Sequence, residues 1–137
     1  MPLSPPFVSA LTAGILVIMQ MALMFSVVLA RRHNRQSLGD GGQPGMLLAI
    51  RRHGNFAENA ALFVAGFALL ELMGGGRIGL AIMCAAFVLA RISHVIGLSM
   101  PRKTVNPLRV GGVVVTVFVG ITLGVRLIRA ALPYLAW

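Results

Sequence analysis

The amino-acid sequence predicts an all-α integral membrane protein whose four membrane-spanning helices form a left-handed up-down bundle. The first observation is composition: of 137 residues, 58% are hydrophobic and only 11% are charged, with a mean hydropathy of +0.89. Ordinary soluble domains are roughly half apolar and about a quarter charged. The second is that the apolar residues fall into four runs, each near the roughly 20 residues that cross a hydrocarbon core. The third is that short segments rich in glycine, proline and arginine separate these runs, as expected for loops.

The first predicted span covers residues 7–30. It contains no charged side chain, and Gln20 is its one amide. Because it is longer than the core of a signal peptide and no basic residue precedes it, we expect it to remain as a permanent span. It stops at the basic run 31–35, and the glycine-rich residues 37–45 are predicted to form a loop.

The second predicted span covers residues 46–73, with a polar first half and an apolar second half. At about 1.5 Å per residue, a helix of this length is longer than a bilayer is thick. Its polar start can therefore protrude from the membrane or line an interior. A run of glycines at 74–76 is expected to end it.

The third and fourth predicted spans cover residues 77–100 and 107–132. Arg91 and His94 interrupt the third, and Pro101 closes it. The fourth opens with a proline, which suits the first position of a helix. The sequence lacks the alternating strands of about ten residues that mark a membrane barrel. Residues 1–137 are thus predicted to form a single membrane domain.

The net charge of +9 predicts the orientation of the bundle. A soluble protein with this charge would suggest a nucleic-acid partner, but these basic residues lie between apolar runs and no nucleic-acid motif is present. Lysine and arginine concentrate in cytoplasmic loops, so loops 31–52 and 101–109 are predicted to be cytoplasmic and both termini non-cytoplasmic. On the predicted cytoplasmic side lie Arg31, Arg32, Arg35, Arg51, Arg52, Arg102, Lys103 and Arg109, and on the other side Arg77, Arg126 and Arg129.

Ionisable side chains at membrane depth mark a candidate site, because each costs about 2.5–3.5 kcal/mol on insertion. Arg51, Asn55 and Glu58 recur at i, i+4 and i+7 and share one helical stripe, while Arg91 and His94 share a face of the third helix. Two interpretations stay open on these residues: an ion pair from Glu58 to Arg91 or Arg51 that joins helices, or a ligand site. The surplus of arginines favours a small polyanion with two carboxylates and an amine. The histidines lack metal-ligand spacing, so no metal site is expected.

Several stretches of the sequence also carry a recognisable pattern: Ala30-Arg31-Arg32-His33-Asn34-Arg35, Gly39-Asp40-Gly41-Gly42, Arg51-Arg52-His53-Gly54-Asn55-Phe56-Ala57-Glu58-Asn59 and Ala90-Arg91-Ile92-Ser93-His94-Val95-Ile96-Gly97-Leu98. Together they resemble the MAPEG family, the membrane-associated proteins in eicosanoid and glutathione metabolism, in a bacterial-type member. The resemblance extends to chain length, span number and loop placement. It implies a homotrimer in the bacterial inner membrane, with glutathione bound between neighbouring protomers at the cytoplasmic end.

The same resemblance implies a set of glutathione-binding side chains: Arg31, Arg51, Asn55, Glu58, Arg91 and His94. Of these, Arg31 reaches in from the first helix, and His94 stands where eukaryotic members often have a ligand-binding tyrosine. The arginine that activates the thiol in those members corresponds to Arg102 or Arg109, depending on where a gap is placed. Asn59 and Leu98 stand where the same members commonly have tyrosine.

The predicted function is a glutathione transferase or peroxidase that acts in detoxification on hydrophobic electrophiles or lipid hydroperoxides. A free thiol has a pKa near 8.5, and a guanidinium beside the sulfur favours the reactive thiolate. Whether turnover occurs stays open, because both tyrosine positions differ, so a non-catalytic binding or scaffold protein of the same family is the alternative. A small multidrug exporter using Glu58 is less favoured, because such exporters carry the key acid in the first span, which here has none.

Overall fold

A computed structural model of the protein describes residues 5–100 and 106–135. Its elements are α1 (Phe7–Asn34), α2 (Pro44–Leu72), α3 (Arg77–Ser99) and α4 (Pro107–Ala131), followed by a single 3₁₀ turn at Leu132–Tyr134. The four long helices are apolar enough to cross a membrane, so the predicted all-α membrane fold is confirmed.

The helices run in alternating directions, as side-chain contacts between their ends indicate. Glu71, near the end of α2, contacts Val8 at the start of α1, and Ser93, near the end of α3, contacts Leu108 at the start of α4. We call the end where α1 and α3 finish the basic end, and the opposite end, where α1 starts and α4 finishes, the terminal end. Helices α3 and α4 pack most extensively, followed by α1 and α2.

Helix α1 is longer than its predicted span, because it continues through the basic residues to Asn34. Basic side chains favour the last turn of a helix, where the carbonyl groups carry partial negative charge. The helix ends where Arg35 adopts a left-handed conformation with φ of 48°, and its N–H bonds back to the carbonyls of Arg31 and Arg32. The predicted closure of α3 at Pro101 lies outside the described residues.

The core lies in the middle of the bundle and is built around an aromatic cluster from α2 and α3. Phe63 and Phe87 stack with ring centroids 4.0 Å apart, and Phe67 meets both edge-on at 5.9 Å. Leu16 from α1 and Leu123 from α4 complete the cluster, so all four helices contribute to it. These contacts fix the helices against one another below the polar residues of the basic end.

A carboxylate from α2 holds the start of α1 at the terminal end. Glu71 accepts hydrogen bonds from the backbone nitrogens of Val8 (3.0 Å) and Ser9 (2.8 Å) and from the Ser9 hydroxyl (2.6 Å). The residue that precedes α1, Pro6, has no side-chain cap to offer these amides. Because the first amides of a helix lack internal partners, Glu71 takes over the role of the cap. This role of Glu71 was not predicted from the sequence.

Candidate functional site

The predicted polar stripe of α2 lines a cleft at the basic end, which we call the α2 cleft. Arg51, Asn55 and Glu58 all border it, in a volume of about 410 Å³. The opposite wall comes from Gly39 and Asp40 in the loop between α1 and α2. Arg51 and Glu58 are exposed and Asn55 is half-buried. The structure therefore brings the three predicted residues together in one cleft that presents charges of both signs.

Arg31 supports the wall of this cleft. One terminal nitrogen of its guanidinium, Nη1, donates to the carbonyls of Ser37 (2.9 Å), Gly39 (3.3 Å) and Gln36 (3.5 Å). Because Nη1 carries two hydrogens, the three carbonyls share its two N–H groups, and one side chain holds this stretch of the loop. In this structure Arg31 shapes the cleft by fixing the loop that carries Asp40.

Arg91 joins α3 to the polar stripe of α2. Its side chain is only 3% exposed, and its Nη1 donates to the backbone carbonyl of Asn55 at 3.3 Å. Its Nε is buried with no partner among the described residues. One interpretation of Glu58 was an ion pair with Arg91 that joins two helices. The structure does not show this pair, because the Arg91 guanidinium contacts a backbone carbonyl and Glu58 is exposed.

His94 lies on the same face of α3 and meets the start of α4. It is 5% exposed, and its Nδ1 lies 3.4 Å from the carbonyl oxygen of Arg109. Because a carbonyl can only accept, Nδ1 must carry the proton in this contact. The other ring nitrogen, Nε2, is buried with no partner in the described part of the chain. One helix face thus connects the α2 cleft and the first turn of α4.

Of the two arginines predicted as candidates for activating the thiol, Arg109 lies within the described residues. It occupies the first turn of α4 and is exposed. The Asn106 side chain caps this helix by accepting from the backbone nitrogens of Leu108 (2.9 Å) and Arg109 (3.4 Å). The other candidate, Arg102, lies outside the described residues.

Asn59 and Leu98, which stand where eukaryotic members commonly have tyrosine, lie in different surroundings. The Asn59 side chain donates to the Asn55 carbonyl at 3.1 Å, the same carbonyl that receives Arg91. Leu98 is buried near the end of α3. Neither side chain supplies the phenolic hydroxyl of a tyrosine.

Two polar contacts that connect α2 to its neighbours were not predicted from the sequence. Nε2 of Gln20 in α1 lies 2.8 Å from Nε2 of His53 in α2, and Nη1 of Arg52 donates to the Ser99 hydroxyl at 3.0 Å. The only signal was that Gln20 is the one amide of its span, and its partner depends on how α1 and α2 align. Residues 5–100 and 106–135 contain no group of three or more metal-ligating side chains.

The protein is a four-helix membrane protein with a cleft at its basic end that is lined by both positively and negatively charged side chains. The model of the MAPEG family matches residues 9–129, and the chain belongs to that family. The resemblance predicted from the sequence stretches is confirmed.

Two similar relatives carry the name "Inner membrane protein YecN", one from Escherichia coli strain K12 and one from Escherichia coli O6:H1 strain CFT073. Each is 34% identical to this chain over 91 residues, which is 66% of this chain and 69% of the relative. No solved structure gives a significant match.

Proposed function

We propose that this MAPEG protein binds glutathione in the α2 cleft and uses it as a co-substrate in the bacterial inner membrane. The observation that carries the proposal is the cleft itself, where the Arg51 guanidinium and the Glu58 carboxylate line one cavity of about 410 Å³. Glutathione bears two carboxylates and one ammonium group. Arginine suits carboxylates because it offers paired donors, and Glu58 suits the ammonium.

The proposal includes a homotrimer in which a neighbouring protomer closes the cleft. Small-molecule sites bury about 70–90% of their ligand, yet Arg51 and Glu58 are both exposed on this chain. A second copy would supply the missing wall. Native mass spectrometry from detergent should give the mass of three chains, and a monomer that binds glutathione with full affinity would contradict this part of the proposal.

In the proposed chemistry, a guanidinium stabilises the thiolate of bound glutathione. Arg109 or Arg102 supplies it, and Arg109 is exposed on the first turn of α4. A positive group beside the sulfur lowers the pKa of the thiol from near 8.5, so more thiolate is present at neutral pH. The thiolate displaces a leaving group from an electrophilic carbon, forming a C–S bond. With a hydroperoxide it attacks the terminal oxygen: an S–O bond forms, the O–O bond breaks, and the released alkoxide takes a proton to become an alcohol. A second glutathione then converts the sulfenic acid to glutathione disulfide and water.

An apolar groove beside Arg109 supports a hydrophobic second substrate. It lies between α3 and α4, has a volume of about 420 Å³, and is lined by Ser93, Pro107 and Leu108 among other residues. Pro107 and Leu108 directly precede Arg109 in the chain. A lipid hydroperoxide or an apolar electrophile could reach this groove from the bilayer.

Isothermal titration of the purified protein with glutathione tests the binding step. We expect wild-type binding, and at least about tenfold weaker binding for Glu58→Gln, because a charge-assisted hydrogen bond contributes about 1.5–3 kcal/mol. Arg129→Ala, an exposed change at the terminal end, is the matched control and should bind like wild type. Absence of binding to the wild type would overturn the proposal.

Turnover assays then separate the enzyme from its alternatives. Conjugation of a chlorinated nitrobenzene or reduction of a lipid hydroperoxide with glutathione supports the transferase or peroxidase. Glutathione binding without turnover would instead identify a binding or scaffold protein. Cation efflux from proteoliposomes that Glu58→Gln abolishes would identify an exporter.

A further inference from the structure

The backbone of Arg109 is fixed from several sides while its side chain remains exposed. We propose that Ser93 and Gly97 of α3 are positioning residues that set where the Arg109 guanidinium meets the sulfur of bound glutathione. This inference rests on the proposed function. It takes Arg109, of the two candidate arginines, as the group that acts on the sulfur.

Hydrogen bonds from α3 hold the first turn of α4. The Ser93 hydroxyl donates to the Leu108 carbonyl at 2.9 Å, and His94 Nδ1 lies 3.4 Å from the next carbonyl, that of Arg109. The Asn106 cap bonds the amides of the same two residues from the other side. Both the carbonyl and the amide of Arg109 therefore have partners, and its backbone has little freedom to move.

Gly97 and Gly112 let the backbones of α3 and α4 approach each other more closely than a residue with a Cβ would allow. A Cβ at Gly97 would lie 2.5 Å from the backbone nitrogen of Arg109 and 2.9 Å from its Cα. One turn further along α4, a Cβ at Gly112 would lie 2.7 Å from the Ala90 carbonyl oxygen. Since ordinary contacts of a Cβ begin at 3.4 Å, the start of α4 rests directly on α3.

This close contact matters because the catalytic effect of a charge depends on its position. A misplacement of about 1 Å at a reacting centre can cost roughly a hundredfold in rate. A methyl group at position 97 must push Arg109 away by a distance of that order, because the atom it meets is backbone and cannot rotate aside. Gly97 does not line the α2 cleft, so we expect the side chains of the cleft to stay in place.

The test compares thiolate formation with glutathione binding in Gly97→Ala and in wild type. Ultraviolet difference absorbance measures the bound thiolate across pH, and isothermal titration measures the dissociation constant. We expect the thiolate midpoint of Gly97→Ala to rise by about one pH unit, a tenfold loss of thiolate near neutral pH, while glutathione affinity stays near wild type. Gly124→Ala is the matched control, because it is on α4 and has open space around its Cβ.

Ser93→Ala is a second variant that removes one hydrogen bond without adding any atom, so it tests the same contact if Gly97→Ala does not fold. We expect a smaller shift of the midpoint in the same direction. A wild-type midpoint in both variants would overturn the positioning role, as would a parallel loss of affinity and thiolate, which indicates general damage. A wild type that does not bind glutathione would overturn the proposed function and this inference together.

Discussion

Arg91 is an unusual residue for the inside of a membrane protein, because it buries a cation beside a carbonyl. Burying a charge costs several kcal/mol unless it is paired and hydrogen-bonded. Its Nη1 makes one hydrogen bond, at 3.3 Å, and its Nε has no partner among the described residues. The Asn55 carbonyl that it meets also receives the Asn59 side chain. This contact therefore offsets little of the cost of burying the charge, and the carboxylates of the proposed glutathione ligand would supply the missing counter-charge.

Replacing Arg91 with methionine should consequently separate stability from binding. We expect Arg91→Met to leave the free energy of unfolding unchanged or to raise it by about 1–2 kcal/mol, since apolar replacements of buried charges often stabilise. Glutathione affinity should fall, because a positive charge next to the α2 cleft is lost. Unfolding in mixed detergent measures the first quantity and isothermal titration the second.

Arg77→Met, at an exposed position of the terminal end, is the control for the loss of charge alone. Destabilisation of several kcal/mol by Arg91→Met with unchanged affinity would contradict this account. The role of Arg91 would then be to hold α2 and α3 together.

At the scale of the helices, the start of α1 depends on a side chain that is distant in sequence. Glu71 receives two backbone amides and the Ser9 hydroxyl, and Ser9 is only 2% exposed. A negative charge at a helix start also interacts favourably with the helix dipole. Because Glu71 lies near the end of α2, the same bonds tie α1 to α2 at the terminal end.

Glu71→Gln should therefore lower the free energy of unfolding by about 1–3 kcal/mol, because an amide has one acceptor oxygen and turns its NH₂ toward a donor. The matched control is Glu58→Gln, the same chemical change on the same helix at an exposed position, which should change stability by less than about 0.5 kcal/mol. Equal effects of the two substitutions on unfolding would show that the cap does not stabilise α1.

At the scale of the whole molecule, the spans could be predicted because membrane crossing requires long apolar runs that are visible in the sequence. The stripe of Arg51, Asn55 and Glu58 could be predicted because helical periodicity alone places these residues on one face. The family followed from short stretches that contain the same residues.

The contacts between helices could not be predicted in this way. The partners of Glu71, Gln20 and Arg31 are set by how far one helix slides along another and by the course of a glycine-rich loop. Neither quantity leaves a periodic trace in the sequence. Gly97 likewise looks like any other membrane glycine until α4 is placed against it.

The orientation of the bundle is the remaining prediction at this scale, because the proposed glutathione site requires the cleft to face the cytosol, where glutathione is maintained. Single-cysteine variants on a Cys84→Ala background can be labelled in intact spheroplasts with a membrane-impermeant maleimide. Leu135→Cys, exposed beyond α4, should react at once, whereas Ser37→Cys, exposed in the loop at the basic end, should react only after the membrane is permeabilised. The physical reason is that lysine and arginine are retained on the cytoplasmic side during insertion. The reverse pattern would place the cleft on the outer face, away from cytosolic glutathione, and would contradict the topology on which the proposed function depends.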